Sequence, residues 1–461
     1  MSQDNSDSGN NGNRRAELKQ QLLARTRRRA VPPASRNGGG QVSSGQASGA
    51  GSGGVQQVPE RFTRFDQHPG YQQIDMMREA ARRLGLTDPF FKLHEGNAGA
   101  TSVIDGRECI NFASYNYLGY SGDPRVNQAA CEAVERYGSS VSASRVVSGE
   151  RPIHRELERA LAGVYGVEDA VAFVSGHATN VSTLGYLMGP RDLILHDEYI
   201  HNSALVGAQL SGARRISFPH NDVEALDALL GRHRGQFERV LIVIEGLYSM
   251  DGDVPDLPHF IDVKRRHQAW LMVDEAHSFG VLGEHGLGLR EHFDVPSDQV
   301  DIWMGTMSKA MAGCGGYIAG SQPLVDTLRY LAPGFLYSVG MPAQVAAPSL
   351  KVLELMAQEP ERVARLHDIS RYFLQQAGER NLNVGESIGA AVVPVIVGSS
   401  ALAAHLSHAL LGHDINVQPI LYPAVPEKSA RLRFFLCCDH TRAHVDRTLE
   451  ILQQAISIHA G

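Results

Sequence analysis

A chain of 461 residues, 43% hydrophobic and 20% charged, is long enough to bury one large core and a smaller second one. Its net charge of −7 and pI of about 6.3 exclude a whole-molecule polyanion binder, so nucleic acid is not an expected partner. No apolar run approaches a membrane span and the N-terminus lacks the apolar core of a signal peptide, which together point to a cytoplasmic protein with no transmembrane segment.

Residues 1–60 read as a disordered arm. Asn, Ser and Gly dominate residues 2–13 and 36–55, where no core can form. Between them, residues 13–29 carry Arg14, Arg15, Lys19, Arg25, Arg27, Arg28 and Arg29 around a small face of Leu18 and Leu22. This segment is either a solubilising tail or a basic amphipathic helix that docks an acidic partner. Residues 61–105 form an N-terminal helical and strand segment, with Tyr71, Ile74, Met77, Ala80 and Leu84 marking an amphipathic helix over 71–86.

Residues 106–340 read as a large domain. Residues 109–112 form a short strand. Strands at 170–174, 193–196, 214–218, 240–245, 270–274, 301–305 and 317–320 then alternate with helical patterns at 151–165, 222–230 and 259–267. The alternation predicts a mostly parallel seven-stranded sheet covered by helices, in the α/β class. Residues 341–461 form a smaller α+β unit: a helix over 343–358, strands at 392–397, 415–419 and 432–436, and a closing helix over 442–458.

In such a sheet, ligands sit at the carboxyl ends of strands. Trp270-Leu271-Met272-Val273 runs into Asp274-Glu275-Ala276-His277, and a later strand runs into Gly305-Thr306-Met307-Ser308-Lys309. A DEAH string alone also fits a helicase box or a plain strand end. A helicase needs a phosphate loop ending in Gly-Lys-Ser/Thr, and no Gly-Lys pair occurs here. Lysine is scarce, with six in the chain, and Lys309 alone lies where a strand enters a Gly-rich loop. These parts suit pyridoxal 5'-phosphate (PLP): Lys309 for the Schiff base, Asp274 for the pyridine nitrogen, and His277 for the ring hydroxyl. Ser175-Gly176-His177 follows a strand and opens a helix, a natural phosphate cradle that Thr306 extends. Ser249 could share the ring hydroxyl with His277, and His201, after another strand end, has a flat ring able to stack on a cofactor, although a lone histidine is usually structural.

The order of these motifs resembles the α-oxoamine synthase family of fold-type-I PLP enzymes over roughly residues 85–455. It is carried by Ser-Met-Asp-Gly-Asp at 249–253, Val-Asp-Glu-Ala-His-Ser-Phe-Gly-Val-Leu-Gly at 273–283, Gly-Thr-Met-Ser-Lys at 305–309, Phe-Pro-His-Asn-Asp at 218–222 and Ser-Arg-Val-Val-Ser-Gly at 144–149. Ser-Tyr-Asn-Tyr-Leu-Gly at 114–119 looks like the serine palmitoyltransferase branch and polyketide-associated relatives. The resemblance implies an aspartate aminotransferase-like fold and a decarboxylative condensation of glycine, alanine or serine with an acyl-CoA or acyl-carrier protein, giving an α-amino ketone, CO2 and free thiol. It implies Lys309, His201, Asp274 and His277 as catalytic residues. Cofactor-binding falls to Gly176, His177, His201, Ser249, Asp274, His277, Thr306 and Lys309, with Ser338 reaching across a homodimer. Arg433 would hold the amino-acid carboxylate, with Tyr115 and Asn116 beside the substrate. The chain departs from the family at residues 139–143, at Gly340 and at Cys437-Cys438-Asp439.

Two other readings stay open: a fold-type-I aminotransferase, and a regulatory or carrier-docking subunit, which should lack Lys309. The five cysteines form no CxxC pair and read as reduced thiols. No HExxH or Cys/His cluster organises the 20 histidines, so no metal is expected.

Overall fold

The computed structural model describes residues 58–83, 85–86 and 88–459; the basic arm lies outside the described residues. By its internal contacts the chain divides after Gln72. The part before that point contains two single turns, Glu60–Phe62 and Phe65–Gln67. A helix over Pro69–Arg83 matches the expected amphipathic segment, and its Tyr71, Ile74 and Met77 are exposed.

The strands, in chain order, are β1 (His94–Glu95), β2 (Thr101–Ile104), β3 (Arg107–Asn111), β4 (Asp169–Phe173), β5 (Leu193–Asp197), β6 (Arg214–Phe218) and β7 (Val240–Glu245), followed by β8 (Trp270–Asp274), β9 (Ile302–Thr306), β10 (Gly316–Gly320), β11 (Val392–Ile396), β12 (Ile415–Asn416), β13 (Gln418–Ile420) and β14 (Arg431–Phe435). The main sheet has seven strands in the order β4-β10-β9-β8-β7-β5-β6. β9, β8, β7, β5 and β6 run parallel, and β10 is antiparallel to both of its neighbours.

Except along the edge strand β6, where Arg214, Arg215 and Ser217 are exposed, both faces of this sheet are buried, which is why the inner strands read as mostly apolar runs rather than alternating ones. Along β7, Val240, Ile242 and Ile244 enter one apolar cluster while Leu241 and Val243 enter another on the opposite face. β8 divides in the same way, with Leu271 and Val273 on one side and Met272 on the other. Each such side chain stabilises the fold by about 1.5–3 kcal/mol relative to exposure. The first cluster continues through Val352, Phe373, Phe434 and Leu449, so the C-terminal elements share a core with the large sheet.

The expected strand at 415–419 is two strands. β12 pairs with β3 in a four-stranded sheet ordered β1-β2-β3-β12, whereas β13 pairs with β14 in a three-stranded sheet ordered β11-β14-β13. The chain changes sheets at the buried Val417. Pro419, which has no N–H to donate, is tolerated because β13 is an edge strand.

The parallel run brings five strand ends to one edge of the main sheet: Asp197, Phe218, Glu245, Asp274 and Thr306. Because β10 is antiparallel, its first residue, Gly316, lies opposite Thr306 at that same edge.

Candidate active site

Lys309 follows β9 in a turn closed by its own backbone. Met307 N–H donates to Gly315 O (2.9 Å), Gly313 N–H to Met307 O (2.8 Å) and Ala312 N–H to Lys309 O (3.0 Å). The Thr306 hydroxyl also donates to Gly315 O at 2.8 Å. The lysine Nζ stands 5.5 Å from the centre of the Tyr115 ring. Burial lowers its pKa to about 8; Asp274 and Glu245 pull it back up and Arg433 pushes it down. An appreciable fraction is therefore neutral amine, a nucleophile and base, near neutral pH.

Asp274 ends β8 with both carboxylate oxygens engaged. Oδ2 accepts from Asn180 Nδ2 at 2.8 Å and Oδ1 from Ala276 N–H at 3.0 Å. The same Asn180 amide reaches the Ser203 hydroxyl at 2.9 Å, which lies 2.7 Å from His201 Nδ1. Ser203 N–H also donates to Nδ1, at 3.3 Å. The Ser203 oxygen accepts from Asn180, so its proton points to Nδ1, and the network assigns the His201 ring proton to Nε2. Desolvation lowers the His201 pKa; Asp274 opposes this, while Lys309, His177 and Arg433 add to it. His201 is thus a neutral ring with one N–H to offer.

His277 Nδ1 lies 2.8 Å from the Tyr117 hydroxyl, and Phe435 stacks on its ring at 6.1 Å and 11°. Burial drives the His277 pKa far down, helped by Lys309, Arg433 and His201. Burial drives the Tyr117 phenol far up, so the pair is neutral at physiological pH.

Arg433, in the middle of β14, is largely enclosed by neutral groups. Its Nη1 donates to Ser249 O at 3.2 Å and touches Met250 Sδ at 3.3 Å, and its guanidinium lies 4.6 Å over Phe435. Its Nε is buried without a partner. It forms no ion pair among the described residues, although Arg431, two residues earlier on the strand, pairs with Asp251 at 2.5 Å. Burial lowers the Arg433 pKa from its usual high value, and the Tyr115 and Tyr117 hydroxyls oppose that shift.

The turn at Gly176 leaves no room for a side chain. A Cβ on Gly176 would meet Thr306 Oγ1 at 2.8 Å, and one on Gly316 would meet Gly176 Cα at 2.7 Å. Gly176 and His177 open the helix Gly176–Leu187, whose first N–H groups have no acceptor within the helix; Ser175 Oγ takes only that of Ala178. With Lys309, Asp274 and two neutral histidines beside this cradle, the residues present fit PLP.

The other expected residues make the following contacts. The Asn116 amide is engaged in its own loop, donating to Ser121 O at 3.2 Å and accepting Ser121 N–H at 3.0 Å. Tyr115 packs edge-on to Phe435 and His277. Ser249 meets Arg433 through its backbone carbonyl. The Ser338 hydroxyl bonds Val339 O on a surface where Tyr337 is 85% exposed. Cys437, Cys438 and Asp439 bring three donor atoms within 4.8 Å of one another, and Cys438 N–H donates to Tyr117 O at 2.8 Å.

Sequence reasoning passed over Tyr117, Asn180 and Glu245. Glu245 had a visible signal: like Asp274, it is a carboxylate ending a wholly apolar run, and the two are in register on adjacent strands.

The family model for aminotransferase class I and II matches residues 107–452. The 8-amino-7-oxononanoate synthase of Symbiobacterium thermophilum is 40% identical over 368 residues, spanning 80% of this chain and 93% of that protein. The enzyme of the same name from Geobacter sulfurreducens is 40% identical over 360 residues, spanning 77% and 90%. Among solved structures, the serine palmitoyltransferase of Sphingomonas wittichii superposes with a TM-score of 0.81 at 31% identity, covering 85% of this chain and 98% of its own. A serine palmitoyltransferase solved with its PLP internal aldimine gives the same score and identity, covering 84% and 98%.

Proposed function

We propose that this chain, which belongs to the α-oxoamine synthase family of fold-type-I PLP enzymes and condenses an amino acid with an acyl thioester as a C-acyltransferase, takes glycine, alanine or serine and holds its carboxylate on Arg433. The observation that carries this reading is the enclosed guanidinium of Arg433, which has a buried, unpartnered Nε and no carboxylate of its own among the described residues. A guanidinium fork suits bidentate carboxylate binding. Its charge depresses the pKa values of Lys309, His201 and His277, which marks it as a neighbour of all three.

When bound, PLP supplies an aldehyde that an amine can hold and a ring that accepts the electron pair left at Cα. Asp274 would face the ring nitrogen, Gly176, His177 and Thr306 the phosphate, and His277 and Ser249 the ring hydroxyl. His201 would stack on the ring. Arg433 would hold the amino acid by its carboxylate and so orient its Cα–H bond. Lys309, as a free amine, would take the Cα proton. His201 Nε2–H is the donor for the oxyanion that develops at the thioester carbonyl. Tyr115 lines the approach to Lys309; Asn116 acts one step away, by holding that loop.

The acyl donor is a CoA or carrier-protein thioester. An acidic carrier protein would suit the basic arm of residues 13–29. Two exposed apolar pairs support a homodimer in which Ser338 meets the partner's phosphate site: Val146 and Val147, which follow Ser144-Arg145, and Tyr337 and Val339, which flank Ser338 itself. No helix among the described residues is long and apolar enough to cross a membrane. All five cysteines are free, which suits a reducing compartment such as the cytoplasm.

A mass-spectrometric screen of glycine, alanine and serine against acyl-CoAs and acyl-carrier proteins tests this reading. The expected result is an α-amino ketone with release of CO2 and thiol from one of the three. A product formed only with a larger amino acid would overturn the assignment. Conversion of the cofactor to its amine form by amino acid alone would favour the aminotransferase reading instead.

A further inference from the structure

We propose that Glu245 is the positioning residue that fixes His201 over the cofactor, by accepting the backbone N–H of His201 on its side-chain Oε1 at 2.6 Å. The inference rests on the reading of His201 as the ring-stacking residue.

Glu245 is the last residue of β7 and only 5% exposed. It lies in register with Asp274 on β8. The mechanism above gives it no task, yet a carboxyl group buried there is costly. Burial and the neighbouring Asp274 both raise its pKa, and Lys309 opposes them. A group held at that cost needs a local reason.

His201 supplies one. It lies at the junction between the turn after β5 and the helix Asn202–Leu210, where the backbone direction sets where the ring goes. Its ring is held through Nδ1 by Ser203, and its peptide is held by Glu245. The first contact fixes rotation of the ring. The second fixes the height of its Cα relative to β7 and β8, and hence its distance from whatever Asp274 faces. Oε1 can accept this hydrogen bond whether or not the carboxyl is ionised, so the acceptor, not the charge, carries the role.

The test compares Glu245→Gln, Glu245→Leu and His201→Ala as PLP-loaded enzymes. The readouts are the cofactor's visible spectrum, its dissociation constant, kcat and amino-acid KM, with the thermal midpoint of the unloaded protein as the folding control. Gln keeps an acceptor oxygen, so its spectrum should match wild type and its kcat should stay within about threefold. Leu removes the acceptor. It should shift the spectrum in the same direction as His201→Ala and lower kcat by about 10- to 100-fold, the scale of a misplaced catalytic group, with KM changed by less. If the Leu protein does not fold, Glu245→Asp, whose shorter side chain withdraws the acceptor, should show the same spectral shift.

A Leu variant with wild-type spectrum and kcat beside an impaired His201→Ala overturns the inference alone. A Gln variant as impaired as Leu overturns it too, because the charge would then matter. A further loss when Leu is added to His201→Ala means that Glu245 does not act through His201. A His201→Ala enzyme indistinguishable from wild type overturns the reading of the site on which the inference rests.

Discussion

Two charged side chains at this site are treated in opposite ways. Asp274 has both oxygens bonded by the protein, to Asn180 and to the Ala276 N–H. Arg433 has neutral neighbours, among them a carbonyl and a sulfur, and one buried N–H with no partner. The strand does not explain the difference, because Arg431 on the same strand has both a carboxylate and a carbonyl. A charge taken out of water without a counter-charge is strongly destabilising, so an under-bonded arginine persists only where something offsets it. A fully bonded charge holds a resident group in a fixed place. An under-bonded one keeps its hydrogen-bonding capacity for a ligand that comes and goes with each turnover.

The largest expected effect tests the resident side of the contrast. Lys309→Ala should lower turnover by about 10²- to 10⁴-fold, the range for losing a general base. Borohydride treatment of the PLP-loaded wild type should mark Lys309 in a peptide map, and labelling of a different lysine would break the assignment. Next, Arg433→Ala should weaken amino-acid binding by about 1.5–3 kcal/mol, roughly 10- to 150-fold in the dissociation constant, as for hydrogen bonds to charged groups. Cofactor binding should remain near wild type. If cofactor affinity falls and amino-acid affinity does not, the contrast between the two charges is wrong.

His220 extends the fully bonded class and gives it a pH signature. Its Nδ1 lies 2.9 Å from Asp197 and its Nε2 2.8 Å from Asp253. Burial works against its charge, but hydrogen bonds to the two carboxylates raise its pKa to about 10. A raised pKa in the folded state favours the protonated form. The stabilisation is therefore complete below the unfolded value of about 6.5 and is lost as pH rises through about 10. Between those limits the urea midpoint of the wild type should fall with pH, and that of His220→Gln should fall less. Parallel curves would remove His220 from the fully bonded class.

The smallest effect concerns the charges of the arm. Removing residues 1–60 should leave turnover of small thioesters nearly intact and raise the apparent KM for a carrier-protein donor. The difference should shrink at high salt, as solvated charges are screened. Equal kinetics at low salt would leave the arm as a tail.

The main sheet was legible because its inner strands, buried on both faces, leave mostly apolar runs; the exposed edge strand β6 does not, yet all seven appear within a residue or so of their expected places. Lys309 and Asp274 were legible because each lies at or just beyond the end of such a run. The Tyr117–His277 contact joins residues 160 apart, and the Asn180–Asp274 bond joins residues 94 apart. No local pattern announces contacts of that kind. Tyr115 was expected beside the substrate, while Tyr117, two residues on and buried, makes the hydrogen bond to His277. The split at Val417 was hidden because both halves have the same apolar character and differ only in which sheet receives them.

The turn around Lys309 bears on how the lysine behaves as a reagent. Its backbone is closed on itself by the bonds among Met307, Gly313 and Gly315, which tie the base of the lysine side chain to a fixed turn. A reagent on so short a leash never diffuses away after it is displaced. It remains at an effective molarity that well-oriented intramolecular groups reach, about 10⁵ M or more. Small amines added to a Lys309→Ala enzyme at molar concentration should therefore restore only a minor fraction of the lost rate. Full rescue by a free amine would show that the tether contributes nothing.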